Sequence, residues 1–336
     1  MNVDVENLWC GAWLGPCRLT ARGGRLVSLR RRTPTDGHAD LEIPGVVFAG
    51  LRDAHVHLGL VDARALFAGG LAVVHDLGSS PTVLAPFVDA AVRDGLPEVS
   101  FAGQFLTVPG GYPTDRWWAA ADSVCIVEGP QEAAAAVDVQ ILAGATFVKV
   151  MLNSVAGPVF DDATLEVLVG AAHARDRLVV VHAEGPGQAL RAFESGADLL
   201  AHTPWTEPLP EELLAAMARS MRWVSTLDIH GRGGEFDVAA DNLRRFCAAG
   251  GVVVYGTDQG NGPQPVGVNP RELTALLGAG LDRESVLESI AVPWPAGSAT
   301  RLAWTPGPPP AEDEDWASWL AETRNLDTAQ IKERFG

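Results

Sequence analysis

Short apolar runs alternate with alanine-rich segments along most of this chain. The runs are rich in Val, Leu and Ile, which is typical of strands buried on both faces. The segments between them have helical periodicity, and several end in a glycine of the kind that caps a helix C-terminus. The seven clearest runs are LAVVHDLG (71–78), EVSFAGQF (98–105), FVKVML (147–152), RLVVVHAEG (177–185), DLLAHTPW (198–205), RWVSTLDIH (222–230) and GVVVYGTDQG (251–260).

An eighth run, AGLRDAHVHLG (49–59), precedes these seven, so that the chain offers eight strand candidates with helices between most of them. Strands crossed over by helices form a parallel sheet, and eight such repeats over roughly 250 residues predict an α/β fold of the (β/α)8 TIM barrel type. We assign residues 50–304 to this barrel. A doubly wound open sheet is the alternative, but no glycine-rich phosphate loop follows the first strand.

The two ends of the chain depart from this pattern. Residues 1–49 contain short strand-like runs separated by turns, one of them at Gly23-Gly24, and predict a small N-terminal β element. Residues 305–336 begin as a proline-rich linker, within WTPGPPP, and continue as AEDEDWASWLAETR and DTAQIKERF, which predict a short helical C-terminal tail. The first tail helix carries an apolar stripe, which is either a packing face or a subunit interface of a homo-oligomer: Trp316, Trp319 and Leu320.

Composition narrows the class of protein. The chain has 336 residues, 47% of them hydrophobic, which is enough for a large buried core. Its formal charge of −17 argues against a nucleic-acid partner, because binding to phosphates depends on clustered Lys and Arg. We find neither a signal peptide nor a membrane-spanning run and expect a cytoplasmic protein with a small-molecule substrate. The four cysteines show no CxxC pairing and are expected to be reduced.

One lysine interrupts the apolar run FVKVML. A buried ammonium is costly unless it is paired or loses its charge. Three explanations are open for Lys149: it faces solvent from an edge strand, it pairs with a carboxylate, or it takes part in chemistry.

The polar residues at the strand ends bear on this question, because a TIM barrel carries its active site there. His55 and His57 lie two residues apart on the first strand, so both can point to the same face and bind one ion. A lone HxH is weak evidence for a metal. However, four other runs also end in, or contain, a possible ligand, and such a set is not expected by chance: Lys149, His182, His202 and Asp258.

The motifs that carry these residues resemble the metal-dependent amidohydrolase superfamily, in particular its imidazolonepropionase-like and prolidase-like members. The resemblance extends from about Gly50 to about Arg301 and rests on five motifs in the family's order: GLRDAHVHLG, FVKVML, VVVHAEG, LLAHTPW and VVVYGTDQG. It implies a binuclear centre with two divalent ions, zinc being favoured, although His, carboxylate and carbamate ligands also suit Mn, Fe or Co.

The resemblance also implies a role for each ligand. His55 and His57 would bind the more buried ion together with Asp258, and His182 and His202 the more exposed one. Lys149 would bridge both ions as a carbamate, N6-carboxylysine, which agrees with a buried amine whose pKa is lowered enough to react with CO2. Asp53, on the same face as the two histidines of the first strand, would orient ligands through hydrogen bonds.

The implied reaction is hydrolysis of an amide, lactam or related C–N bond of a small substrate. A hydroxide that bridges the ions attacks the carbonyl, and Asp258 acts as general base and then general acid. A deaminase or lactonase on the same barrel is an alternative, although deaminases of this superfamily commonly use one ion and no bridging lysine. A metal-binding protein without turnover is the third possibility.

Some positions depart from the family. The motif VHDLG places His75 where relatives have arginine, and VPGGYPTDRWW offers Tyr112 in place of a histidine, with Trp117 and Trp118 as an aromatic lid. We regard four residues as candidate substrate contacts: His75, Tyr112, Trp205 and His230. Relatives return to the small β domain at their C-terminus. The helical tail predicted here would therefore leave the N-terminal β element without half of its usual partners.

Overall fold

A computed structural model of the protein describes residues 1–22, 25–88, 95–291, 302–326, 331 and 333–334. The predicted Gly23-Gly24 turn lies outside these residues, as does most of the second tail helix, of which residues 331, 333 and 334 are described and helical. No helix in this part of the chain combines the length and apolar character that crossing a bilayer requires.

The described residues form sixteen strands and ten α-helices. The strands are β1 Asn2–Trp9, β2 Trp13–Arg22, β3 Arg25–Arg31, β4 Leu41–Phe48, β5 Leu51–Val56, β6 Leu71–Asp76, β7 Glu98–Phe101, β8 Phe105–Thr107, β9 Val124–Ile126, β10 Phe147–Asn153, β11 Leu178–Glu184, β12 Leu199–Leu200, β13 Arg222–Val224, β14 Val252–Val254, β15 Leu302–Thr305 and β16 Arg324–Leu326. The helices are α1 Ala63–Ala68, α2 Pro81–Leu84, α3 Pro130–Leu142, α4 Asp162–His173, α5 Gln188–Glu194, α6 Glu211–Met217, α7 Gly234–Ala248, α8 Pro270–Gly278, α9 Arg283–Ile290 and α10 Asp313–Ala321. Three short 3-10 turns occupy Ala85–Phe87, Ala121–Ser123 and Leu227–His230.

Parallel sheets carry the candidate site. One has seven strands in the order β14-β13-β12-β11-β10-β8-β9, and another has three in the order β5-β6-β7. Backbone hydrogen bonds from Ala54 to Tyr255 and from His57 to Gln259 join β5 to the segment that follows β14. A mixed α/β fold with a parallel sheet is thus confirmed, whereas closure of the strands into a (β/α)8 barrel stays a prediction.

The C-terminal tail corrects one expectation. The sequence predicts a helical tail that leaves the N-terminal β element without half of its usual partners. Instead, β15 pairs antiparallel with β4, β16 pairs with β15, and the six-stranded sheet has the order β16-β15-β4-β1-β2-β3. Strand β15 has four residues, all buried, so it shows no alternation from which a strand could be predicted. Pairing with the free edge of β4 decides its conformation.

Close backbone approach accompanies this pairing. Gly45 has a φ of +83°, and a Cβ atom there would lie 2.4 Å from the carbonyl oxygen of Thr305. The indole Nε1 of Trp304 donates to the carbonyl oxygen of Pro44 at 2.6 Å. The tail is therefore fitted against β4 and is part of the small sheet's core.

Helix α10 forms as predicted, with acidic residues in its first turn, where the helix dipole favours negative charge. Its apolar stripe is buried inside the chain: Trp316 is 1% and Trp319 is 7% exposed. The ring of Trp319 meets that of Phe48 edge to face, and its Nε1 donates to the carbonyl oxygen of Pro306. The stripe is therefore an internal packing face.

Candidate metal centre

Five of the six residues with metal-ligand chemistry lie at or just after the carboxyl ends of parallel strands, and the sixth, Lys149, lies in the middle of β10. β5, β10 and β11 supply one residue each, and the segments that follow β5, β12 and β14 supply the other three. All six are at most 7% exposed, and all six line one small cavity: His55, His57, Lys149, His182, His202 and Asp258. The structure thus brings together side chains that are up to about two hundred positions apart in the chain.

Three of these residues are especially close. Ligand atoms of His55, His202 and Asp258 all lie within 4.8 Å of one another. The rings of His55 and His202 have their centroids 4.6 Å apart. Because the predicted assignment gives His202 to a different ion from His55 and Asp258, this closeness brings the two predicted ligand groups side by side.

Backbone carbonyls determine which nitrogen of two histidines carries the proton. Nδ1 of His55 lies 2.8 Å from the carbonyl oxygen of Ala201, and Nδ1 of His57 lies 2.9 Å from that of Gly78. A carbonyl oxygen only accepts, so each Nδ1 donates, and Nε2 of the neutral imidazole keeps its lone pair. Both Nε2 atoms face Oδ1 of Asp258, at 3.3 Å from His55 and 3.0 Å from His57.

Oδ1 of Asp258 is buried and accepts no hydrogen bond within the described part of the chain. Its companion Oδ2 accepts one from Nδ2 of Asn261 at 3.0 Å. Burial by itself would raise the pKa of Asp258, but positive charge on His55 and His57 outweighs this effect and lowers it, so the carboxyl is ionised at neutral pH. An ionised, buried carboxylate beside two imidazoles needs a neighbouring positive charge, which protons on the imidazoles or a metal ion in their place can supply. These residues therefore fit a divalent metal ion.

Two backbone positions at the site are strained. Asp258 has a φ of 57° and Thr226 a φ of 43°, in the left-handed region, which aspartate tolerates better than the β-branched threonine does. Oγ1 of Thr226 lies 2.9 Å from Nδ1 of His202. Both strained residues thus orient groups that line the cavity, where such strain is commonly retained for function.

Lys149 lies in the middle of β10 and is 1% exposed. Burial lowers the pKa of its amine to about 7, although Asp258 and Asp76 have the opposite effect. Within the described residues no carboxylate lies within 4.0 Å of the amine, so Lys149 has no ion-pair partner there. The sequence leaves three explanations open for Lys149. The structure supports neither a solvent-facing lysine nor one paired with a carboxylate, which leaves a role in chemistry.

His182 is oriented by a residue, Glu184, that the sequence motifs do not mark as functional. Its Nε2 lies 3.0 Å from Oε2 of Glu184, which also accepts a hydrogen bond of 2.6 Å from Nδ2 of Asn153. An imidazole that donates through Nε2 keeps the lone pair of Nδ1 available for an ion. Glu184 ends β11 two residues after His182, and this i, i+2 spacing was the available signal.

Asp53 and Asp76 accept hydrogen bonds from the backbone next to the candidate ligands and so hold that backbone in place. Asp53 is fully buried and accepts hydrogen bonds from the backbone of His55 and from the backbone and hydroxyl of Thr257, which precedes Asp258. Burial raises the pKa of Asp53 to about 7. Asp76, which the sequence motifs do not mark as functional, accepts hydrogen bonds from Leu58, Gly78 and Ser79 and so shapes the loop whose carbonyl oxygen accepts from His57.

Aromatic side chains cover the cavity. Tyr112 stacks on His182 with ring centroids 5.3 Å apart, and Trp118 lies edge-on to Tyr112 at 6.1 Å. Trp117, expected in the same lid, is instead 95% exposed. Trp205 and His230 are not among the residues that line this cavity, but the ring of Trp205 lies 5.4 Å from that of the ligand candidate His202 and 5.0 Å from that of His230.

His75 is not among the residues that line the cavity. Its ring packs against Phe147, the first residue of β10, with centroids 5.1 Å apart. Burial lowers the pKa of His75 to about 4, and nearby Arg52, near the start of β5, adds to this effect. The structure therefore places His75 near the amino ends of these two strands, away from the candidate ligands.

A second cavity adjoins the first and shares three of its walls, His57, Phe105 and Trp118. Its empty volume is about 390 Å³, including space open to solvent. Most of the remaining lining is small or apolar: Gly59, Leu60, Gly78, Ser79, Ser80, Val83, Ala119, Ala120 and Ser123. This cavity could accept an apolar group beside the candidate metal centre.

Comparisons with known proteins identify the fold. No protein-family model matches the chain, and no curated protein sequence does. Solved structures do match: a Xaa-Pro dipeptidase with bound methionine in its active site has a TM-score of 0.77 and 20% identity, covering 94% of this chain and 96% of that one. A. niger ochratoxinase has a TM-score of 0.77 and 16% identity, and the match covers 94% of this chain and 91% of that one. A bottromycin amidohydrolase has a TM-score of 0.67 and 19% identity, and the match covers 98% of this chain and 87% of that one. The resemblance to the prolidase-like amidohydrolases is therefore confirmed at the level of the fold.

Proposed function

We propose that this chain, with its amidohydrolase-type fold, is a metal-dependent hydrolase that cleaves an amide, lactam or related C–N bond of a small substrate. The observation that carries the proposal is the buried, ionised Oδ1 of Asp258, which accepts no hydrogen bond in the described part of the chain and faces Nε2 of both His55 and His57. The solved structures with this fold include a dipeptidase and an amidohydrolase, which favours a C–N bond as the target.

The centre would hold two divalent ions, with zinc as the first choice for its donor set. His55, His57 and Asp258 would hold one ion, and His182 and His202 the other. When bound, the ions polarise the scissile carbonyl and lower the pKa of water. His182 would bind its ion through Nδ1, because its Nε2 is hydrogen-bonded to Glu184.

Lys149 would join the two halves of the centre as N6-carboxylysine. Its pKa of about 7 leaves a substantial fraction of the amine neutral at physiological pH. The neutral amine attacks CO2, an N–C bond forms, and one proton is released to water. The resulting carbamate is anionic and offers two oxygen ligands to the ions. The free-energy cost of burying an unpaired ammonium is thereby avoided.

Proton transfer, exclusion of water and substrate binding would be carried out by side chains of the protein. Oδ2 of Asp258, held by Asn261, takes the proton from the attacking water and passes it to the leaving nitrogen. Tyr112 and Trp118 exclude bulk water from the cavity. Nε2 of His230 is buried without a partner in the described residues and is available to a substrate polar group.

We further propose that the strands close into a (β/α)8 barrel. The supporting observation is the pair of backbone hydrogen bonds that joins β5 to the segment after β14, from Ala54 to Tyr255 and from His57 to Gln259. These bonds bring the first and last strands of the parallel set side by side, as closure requires.

The test is turnover by the purified protein on a panel of N-acyl amino acids, dipeptides, hydantoins and lactams, together with metal analysis. We expect hydrolysis of at least one class, loss of activity on treatment with a chelator, and recovery when zinc is restored. A protein that contains two ions per chain yet cleaves none of these compounds would contradict the proposal.

A further inference from the structure

Glu272 lies on α8, outside the walls of the candidate metal centre, and its side chain is completely buried. Both of its carboxylate oxygens accept backbone hydrogen bonds: Oε1 from the N–H of Leu227 at 3.0 Å and Oε2 from the N–H of Asp228 at 2.7 Å. These are the first two residues of the 3-10 turn Leu227–His230. The first N–H groups of a helical turn have no acceptor within the turn. Glu272 supplies that acceptor from a different helix.

Thr226 stands directly before this turn, in the position of a cap residue. A threonine in such a position commonly accepts a hydrogen bond from one of the first N–H groups through its own hydroxyl. Thr226 makes no such bond, and its Oγ1 lies instead 2.9 Å from Nδ1 of His202. Because Glu272 already engages the N–H groups of the turn, the hydroxyl of Thr226 is left for His202.

The backbone of Thr226 is held on both sides. Its φ of 43° is a conformation that a β-branched residue adopts only when its surroundings impose it. Its N–H donates to the carbonyl oxygen of Gly256 at 3.0 Å, and the two residues after it are held by Glu272. The side chain of Asp228 also accepts from Nδ2 of Asn269 at 2.8 Å, so the beginning of α8 is attached to the turn at a second point.

A buried carboxyl is a costly way to close a turn. Burial raises the pKa of Glu272 to about 7, although hydrogen bonds from Ser225, Asp228 and Leu227 oppose this change. No cation lies within ion-pair distance of Glu272 among the described residues. Departures from the usual rules of burial are expected where function requires them. The cost therefore points to a role for Glu272 beyond local structure.

We infer that Glu272 is a positioning residue that acts through Thr226 on His202. By engaging the N–H groups of the turn, it keeps Oγ1 of Thr226 available to accept from Nδ1 of His202, so that Nε2 retains its lone pair. Burial keeps the pKa of His202 well below its usual value, so the neutral ring carries one proton, on one nitrogen or the other. The inference rests on the proposed function, in which His202 binds the more exposed ion.

The first test is a zinc titration of the metal-free protein against a competing chelator. In Glu272→Gln the amide offers one oxygen in place of two, so one N–H of the turn loses its acceptor. We expect the second zinc ion to bind roughly 10- to 100-fold more weakly, the usual effect of removing a residue that orients a ligand. The first ion should bind as in the wild type.

The matched control is Asp4→Asn, which also converts a buried, hydrogen-bonded carboxylate into its amide, but in the small sheet. It should keep both ions even if its melting temperature falls. A Glu272→Gln protein that binds both ions with wild-type affinity, or that loses both equally, would overturn the inference.

A double-mutant cycle tests whether Glu272 acts through Thr226. Thr226→Val keeps the shape of the side chain and removes the hydroxyl, so it should weaken the second ion to a similar extent, whereas Thr226→Ser should retain it. Adding Glu272→Gln to Thr226→Val should cause no further weakening, because the two changes interrupt the same contact. Effects that add in full would show that Glu272 does not act through Thr226, and the inference would be wrong.

Nitrogen NMR of the metal-free protein gives a measurement that needs neither zinc nor turnover. With the ring of His202 identified through His202→Gln, we expect the proton on Nδ1 in the wild type and a mixture of the two tautomers in Glu272→Gln. The same tautomer in both proteins would contradict the inference. If the wild type cleaves no compound of the substrate panel, the hydrolase proposal fails, and the tautomer of His202 still decides the role of Glu272.

Discussion

Nδ1 of His55 donates to the carbonyl oxygen of Ala201, the residue directly before His202. The backbone that positions His202 thus also determines the tautomer of His55, although the two histidines are far apart in the chain. Because the carbonyl leaves Nε2 of His55 unprotonated, this contact prepares the imidazole for an ion before any ion binds. Preorganisation of this kind lowers the cost of assembling a metal centre.

Asp258→Asn should remove the proton acceptor and leave the fold intact. Asparagine tolerates the left-handed conformation of this position and can still accept from Asn261. We expect kcat to fall by about 10²- to 10⁴-fold, the usual contribution of a general base. Steady-state kinetics on the best substrate of the panel measures the change, with the melting temperature as a control for folding. A variant that keeps more than half of the wild-type kcat would exclude this role.

Lys149→Ala should remove the bridging ligand. We expect the wild type to bind two ions per chain, and the variant to lose bound metal together with activity. Elemental analysis after dialysis measures the stoichiometry, and added short carboxylic acids should restore part of the activity by replacing the carbamate. A single ion whose binding is unaffected by the substitution argues against the binuclear centre. In the wild type, extra density on Nζ of Lys149 in a crystal structure would be the direct observation.

His75→Gln should change kcat/KM by less than about threefold, because the side chain packs against Phe147 and does not line the cavity. Trp205→Ala, at a residue that contacts His202, is the matched comparison and should reduce kcat/KM substantially. If His75→Gln lost activity to the same extent as Trp205→Ala while its melting temperature was unchanged, His75 would belong to the substrate site after all.

The stability of the small sheet should depend on pH through Asp4. Arg18 donates to both carboxylate oxygens of Asp4, at 2.6 and 2.8 Å, and this hydrogen bonding holds the pKa of Asp4 below its usual value. A lowered pKa in the folded state means that the stabilisation is complete above the unfolded pKa of about 3.9 and is lost as pH falls through the folded pKa.

Asp4→Asn should therefore have a lower melting temperature than the wild type at pH 7, and the difference should shrink as the pH falls below about 4. Thermal unfolding across this pH range measures it. Glu166→Gln, which removes an exposed carboxylate, should show little difference at either pH. A gap between Asp4→Asn and the wild type that stays constant down to the lowest pH would contradict the assignment.

The parallel part of the fold could be predicted from the chain alone because its strands are buried on both faces and appear as continuous apolar runs. Strand β15 could not, since its four buried residues have no recognisable period and are followed directly by prolines. The role of Glu184 was also hidden, because a glutamate near the end of an apolar run is most often solvated. Its contacts with Asn153 and His182 became evident only in three dimensions.

The sequence by itself determined which residue types stand at the ends of the parallel strands, because the alternation of apolar runs and helical segments places those ends on the chain. Only the tertiary structure decided which of these side chains meet, which nitrogen of each histidine carries a proton, and that His75 lies elsewhere. These properties depend on contacts between residues that are far apart along the chain, such as His57 with Asp258, and local pattern does not encode such distances.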